Sequence, residues 1–250
     1  MKHLILFLSV FLLIGRAPAQ NGISIGAGGG VEYVITDPLQ RRAGINPIVN
    51  QRYREINNSY GVYSVDSEDP DVDPPEPVNE FMTHDPVDGV YRLTLYGTKL
   101  ARYRLSILVD AQNKGKAVVL FGMIDSNQVR KLEFEYSSDS AAPFLVRKIT
   151  ISGTLKEDLM NCYKLKLLGN QSVYKEFSNK TAKIERQFGN GDSAKAHDEL
   201  EKLVKELKKL REETEKHEER RQKPNRFITR EAYEILSDDI AILMSSFPRR

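Results

Sequence analysis

The stretch ITISGTLKEDLMNCY, Ile149–Tyr163, contains the change of rhythm that decides the fold. Ahead of it, apolar and polar side chains alternate. After it, Leu155, Leu159, Cys162 and Tyr163 recur every three or four residues. The first rhythm is that of a strand with one buried and one wet face; the second is that of a helix with one buried stripe. Thr154 with Glu157 three residues later has the spacing of a capping box, which predicts that a helix opens there. Strands before this point and helices after it predict a segregated α+β chain, with the boundary near Ile149–Gly153.

Upstream, GVYRLTLYG places Tyr91, Leu93 and Leu95 on one face and Arg92, Thr94 and Tyr96 on the other. ARYRLSILV sets Tyr103, Leu105, Ile107 and Val109 against Arg102, Arg104, Ser106 and Leu108. RKLEFEYSS offers Leu132, Phe134 and Tyr136 inward. KAVVLFGMI is apolar on both faces, which predicts a central strand. The separators GTKLA, AQNKGK and DSNQ have hairpin length. With VEYVIT and NEFMT, these runs predict an antiparallel β-sandwich over residues 20–150. GAGGG, Gly26–Gly30, departs from a dinucleotide-binding glycine pattern at Val31 and lacks its strand–helix–strand setting, so it reads as a flexible leader to the first strand. Between strands, residues 63–80 hold four prolines and seven acidic residues, a composition that predicts an extended, exposed loop.

Downstream, residues 151–250 carry four amphipathic segments with short breaks, the pattern of a small helical bundle. Ser172 is positioned to cap the second helix, whose stripe is Val173, Phe177, Thr181, Ile184 and Phe188. The third carries Ala196, Leu200, Leu203, Val204, Leu207 and Leu210, then runs into a charged insertion, 212–226, without an apolar stripe. Its charges alternate in sign, as on a solvated helix face rather than a nucleic-acid patch. The fourth helix begins at Thr229.

The N-terminus reads as a secretory signal: a basic start, an apolar run from Leu4 to Gly15 and small residues Ala17–Ala19 before Gln20. The apolar run is too short for a membrane helix. Cleavage near Ala19–Gln20 predicts a secreted or periplasmic protein. Its single Cys162 excludes an internal disulfide, so stability must come from packing. A net charge of +2 gives no general case for nucleic acid or anionic membranes, and the absence of Trp removes the strongest stacking platform for sugars or bases.

Candidate sites compete with structural readings. In DPLQRRAG, Asp37-Pro38 starts a β-turn, and Arg41 and Arg42 form either a fork for an anionic partner or an internal clamp on a carboxylate or loop carbonyl. Asp69, Asp71 and Asp73, with Asp66 and Glu68 beside them, have the alternate spacing of a weak Ca²⁺ site, although an EF-hand needs Gly where Pro74 stands. A solvated acidic loop explains the same residues. His84 with Asp85 or Asp88 is the one candidate for a hydrolytic base, but no nucleophile elbow accompanies it. Zinc-type His spacings are missing, and Cys162 falls on an apolar helical stripe.

Two resemblances enter on these residues. Ser172–Leu210, with a helix, a Gly-Asn break and an Ala-x-x-x-Leu repeat, together with the alanine-led apolar helix Ile228–Phe247, resembles the bacterial FIMAH module, a short all-α unit on exported proteins. That module commonly has Phe-Ile at Leu203-Val204 and a tight glycine turn where the charged insertion lies. ITDPLQRRAG and PVDGVYRLTLYG resemble a β-segment found on such proteins, which commonly has Gly at Gln40. The resemblance implies an exported accessory domain and carries no catalytic residue. The expected function is therefore a non-catalytic exported interaction protein that binds a protein or cell-surface polymer through β-domain loops, with the helical module as spacer or docking unit. The alternatives are a secreted hydrolase with a site near Arg41, Arg42 and His84, and a Ca²⁺-stabilised structural module with no other cofactor.

Overall fold

The computed structural model describes residues 21–65, 77–149, 152–221 and 224–246. Eleven strands come first: β1 (Gly22–Gly28), β2 (Val31–Thr36), β3 (Arg42–Asn46), β4 (Gln51–Arg54), β5 (Ser59–Val65), β6 (Pro77–His84), β7 (Gly89–Gly97), β8 (Ala101–Ala111), β9 (Lys114–Ile124), β10 (Val129–Tyr136) and β11 (Val146–Lys148). Four helices follow: α1 (Ser152–Lys164), α2 (Gln171–Gly189), α3 (Ser193–Glu219) and α4 (Arg230–Ser246). The fold is thus segregated α+β, with all strands before Lys148 and all helices after Ser152 among the described residues. No described helix is long and apolar enough to cross a membrane.

The strands form two antiparallel sheets, β5-β6-β1-β8-β9 and β11-β10-β7-β2-β3-β4. Between them lies a core of Ile23, Ile25, Tyr33, Ile35, Phe81, Leu93, Leu95, Leu105, Ile107, Phe134 and their neighbours. Tyr91 stacks on Phe134 at 5.4 Å between ring centroids and meets Tyr136 edge-on. The helices have a second core, centred on Leu159, Phe177, Leu203, Leu207, Leu236 and Ile240, and Met123 of β9 is the one sheet residue in it.

Several expectations need correction. The glycine run is no leader: Ile23, Ile25 and Ala27 alternate inward along β1, which sits mid-sheet between β6 and β8. Gly29 and Gly30 then turn the chain into the other sheet with positive φ. Only AQNKGK of the three separators is a hairpin, since β8 pairs with β9. GTKLA and DSNQ cross between sheets, and a crossing needs no more residues than a hairpin does. KAVVLFGMI lies at a sheet edge rather than centrally; on its outward face Met123 enters the helical core, whereas Val119 and Phe121 are exposed. Of residues 63–80, 63–65 end β5 and 77–80 begin β6, which pair with each other; residues 66–76 lie outside the described part.

The helix ends also differ. Helix α1 opens at Ser152, ahead of the predicted cap, and Glu157 bonds Arg130 instead. Asn170, not Ser172, caps α2, accepting from the Ser172 and Val173 amides. Thr229 accepts from the Ala232 amide at the start of α4. The charged insertion is helical to Glu219, and one residue just before it and one within it turn inward: Arg211 donates to the Ile228 carbonyl, and the Thr214 hydroxyl accepts from the Ile228 amide. Both are buried, so the polar residues at stripe positions tie α3 to the lead-in of α4.

Where the helices meet the sandwich, basic residues of the strands meet acidic residues of the helices. Arg130 occupies an inward register position on β10, opposite Leu95, and is almost fully buried. It bonds Asp158 at 2.7 Å and Glu157 at 2.5 Å, both on α1. Lys148 of β11 pairs with Asp238 and lies 3.7 Å from Asp239 on α4. Lys164 bonds Asp125, Arg102 bonds Glu231, and buried Asn161 bonds Gln128. Burial, then the neighbouring Asp158, pushes the Asp239 carboxyl well above the usual carboxylate range. Tyr103 lies across Gly122, where any Cβ would fall 2.3 Å from its hydroxyl; burial and the two aspartates hold that phenol in its protonated form.

Candidate functional site

The arginine pair after Pro38 sits in a self-contained turn. Asp37 is fully buried; it accepts from the Leu39 and Arg41 amides and, at 2.7 Å, from Arg41 Nε. Gln40 takes φ +64, a left-handed conformation that glycine adopts freely. Arg41 is therefore the clamp of its own turn, and the carboxylate it holds is Asp37. Arg42 leaves in a different direction. It grips Glu55 through Nη2 at 3.0 Å and Nε at 3.3 Å, and its guanidinium lies 4.0 Å from the Tyr53 ring centroid. The Glu55 hydrogen bond raises the Arg42 pKa and lowers that of Glu55. The two guanidinium groups do not converge as one fork.

The space next to Arg42 is more informative. Between β3-β4 of the six-stranded sheet and β5-β6 of the five-stranded sheet lies a cleft of about 370 Å³. Tyr33, Ile56, Phe81 and Asn79 line its inner part, and Arg52 and Arg54 line its wall. The strand register explains the arrangement. Arg54 pairs with Ala43 and Arg52 with Ile45, and Ala43 is a core residue, so both arginines share the inward face of β4. Tyr53, between them, shares the opposite face with Gly44 and Arg42. Both arginines are exposed, and no carboxylate among the described residues pairs with either.

Across the cleft, Gly61 pairs with the buried Phe81. A Cβ placed on Gly61 meets only the Glu80 carbonyl oxygen, at 3.4 Å, so a side chain there would project into open space. The cleft thus has a largely apolar floor, one cationic wall and, at Gly61, a position with no side chain on the other wall. Such a site can hold an elongated, anionic group.

The chain matches no protein-family model, no curated protein and no solved structure. Function must therefore be argued from the cleft itself.

The other predicted residues fall elsewhere. His84 ends β6, exposed, with its ring 6.0 Å from that of Tyr60. No carboxylate among the described residues bonds it: Asp88 accepts from Ser138 instead, and Asp85 sits in a turn with φ +50. The Ser–His–Asp arrangement expected of a hydrolase is not formed around His84. Asp66, Asp69, Asp71 and Asp73 lie outside the described residues; among those described, no group of three or more His, Cys, Asp or Glu is placed to hold a metal ion. Cys162 is buried 3.5 Å from the Met123 sulfur, and burial pushes its thiol up, away from the reactive thiolate. Sequence reasoning missed Arg52 and Arg54, although the signal was present: RYR within QRYRE is a strand alternation with arginine on one face.

Proposed function

We propose that this chain is an exported, non-catalytic interaction protein that holds a surface partner in the cleft between β4 and β5. The helical part, FIMAH-like in sequence, serves as its brace and docking unit. The single observation that carries this reading is an arginine wall, unmatched among the described residues, on a partly apolar cleft. Export is supported by the signal-like N-terminus, and a binding role by the absence of an assembled catalytic set around His84.

The site differs from the one expected at Arg41, because that residue is engaged by buried Asp37. Arg42 lies on the other face of the sheet, stacked on Tyr53 and bonded to Glu55. The test uses Gly61→Trp, a large side chain at a position where a Cβ meets only the Glu80 carbonyl oxygen, at 3.4 Å. The mature chain should be retained on envelope material of the producing cell, and Gly61→Trp should lose most of that retention at an unchanged melting temperature. Equal retention of the two proteins would contradict the reading.

A further inference from the structure

The two sheets are unequal. The six-stranded sheet ends at β4 on this side, whereas the five-stranded sheet ends at β5, and the cleft occupies the place where a further strand would lie beside β5 and over β4. β5 pairs only with β6 among the described strands, so one row of its main-chain N–H and C=O groups has no strand partner. Natural edge strands are usually protected by charge, proline or a bulge. β5, SYGVYSV, contains no charged residue and no proline, and Gly61, opposite Phe81, puts no side chain on the inward face at its position. This edge is built to accept a strand.

The opposite wall specifies which strand. Arg52 and Arg54 are two residues apart on β4, so they stand about 7 Å apart on one face. An extended peptide repeats its side chains with the same period. Packed sheets lie about 10 Å apart, a gap that Arg and an acidic side chain can bridge together. A strand added to β5 with acidic residues at alternate positions would therefore place successive carboxylates against the two guanidinium groups. Bidentate pairing of that kind favours Arg, the residue present at both positions. Glu80 also borders the cleft, but it pairs with Gly26 and Val62 on the outward face of its sheet and has a partner of its own. A second copy of this chain is a poorer occupant, because β5 carries no acidic residue and would leave both arginines unmet.

Resting on the assignment of the cleft as the binding site, we infer that the occupant is an extended acidic peptide, added as an extra strand to β5 and read by Arg52 and Arg54 through carboxylates at every second position. Main-chain pairing supplies the attachment and the arginine wall the selectivity, the usual division in strand addition.

The experiment titrates the mature chain with a labelled ten-residue peptide of alternating Glu and Val, followed by anisotropy. Saturable binding that weakens with added salt is expected. Affinity should fall at least tenfold for Arg52→Glu/Arg54→Glu, and the alternating Lys-Val peptide should not bind. N-methylation of alternate residues of the Glu-Val peptide should also abolish binding, a control that leaves the protein unaltered. No saturable binding to the unaltered chain, or an affinity indifferent to the charge reversal, overturns the inference. Tighter binding of oligogalacturonate with the same arginine dependence overturns the peptide assignment in favour of an acidic sugar polymer. If the Glu-Val peptide fails while Gly61→Trp still removes envelope retention, the ligand class is wrong and the site stands. If Gly61→Trp also has no effect, both fall.

Discussion

On one side of the sandwich, β9, β10 and β11 meet two helices, and the arginine and lysine that face the helices there each meet carboxylates. On the other, β4 and β5 face each other across a cleft, with Arg52 and Arg54 unmatched among the described residues. The same kind of sheet edge has been handled in two ways. The closed side shows what this chain does with an inward arginine when structure is the purpose: Arg130 is provided with Asp158 and Glu157, and Asn161 and Gln128 bond beside it. A buried charge left alone costs several kcal/mol, so pairing is obligatory there. An exposed guanidinium carries no such penalty, and its lack of a partner is compatible with stability. The contrast separates arginines that hold the fold from arginines that are exposed and unmatched among the described residues.

Truncating Arg130 should have the largest effect. Arg130→Ala leaves Asp158 buried without its partner and should cost about 3–5 kcal/mol, with a melting temperature roughly 10 °C lower, whereas Arg52→Ala should change stability by less than about 0.5 kcal/mol. Thermal unfolding of the two variants side by side checks this. Comparable losses from both would erase the distinction.

Asp239 sharpens the description of the closed side. Its folded-state pKa is raised by burial and by Asp158, so the native state keeps a proton that the unfolded chain gives up at lower pH. Where the native state binds more protons, stability falls as pH rises. The stabilisation from this carboxyl is complete below the ordinary carboxylate pKa and is lost as pH climbs towards the raised value. Asp239→Asn should flatten that decline and melt above the parent at pH 8, by roughly 1–2 kcal/mol. Melting curves from pH 5 to 8 would decide it; parallel curves for the two proteins would mean that Asp239 is ionised in the folded state.

The smallest effect belongs to the Asp37 turn. Gln40 is held at positive φ, which glycine adopts freely, so Gln40→Gly should gain up to about 1 kcal/mol while leaving ligand binding untouched. Denaturant titration reads the gain directly, and a loss would show that the Gln40 side chain makes a contribution beyond the backbone.

The two sides also differ in how far the sequence revealed them. Inward faces of β7, β8 and β10 and the stripes of α2 and α3 were readable, because alternation and a 3.6-residue period are local properties. Which sheet a strand joins was not, since Gly97–Ala101 is as short in a crossing as in a hairpin. β1 was hidden by its glycines, although Ile23, Ile25 and Ala27 alternate within them. The junction of Arg130 with Asp158, and of Lys148 with Asp239, joins residues 28 and 91 positions apart and leaves no spacing to read. Even so, Arg130 continues the inward parity of Leu132, Phe134 and Tyr136, and a charge at such a position marks a waiting partner. The arginine wall was visible as RYR, but its meaning needed the opposite sheet to be one strand short.

Hydrogen exchange tests most directly whether β5 is a receptive edge. In the unliganded chain, amides of β8 and β10 should be strongly protected while part of β5 exchanges quickly, and the alternating Glu-Val peptide should slow exchange in β5 alone. Uniform protection of β5 without peptide, or no change in β5 when the peptide is saturating, would contradict the account.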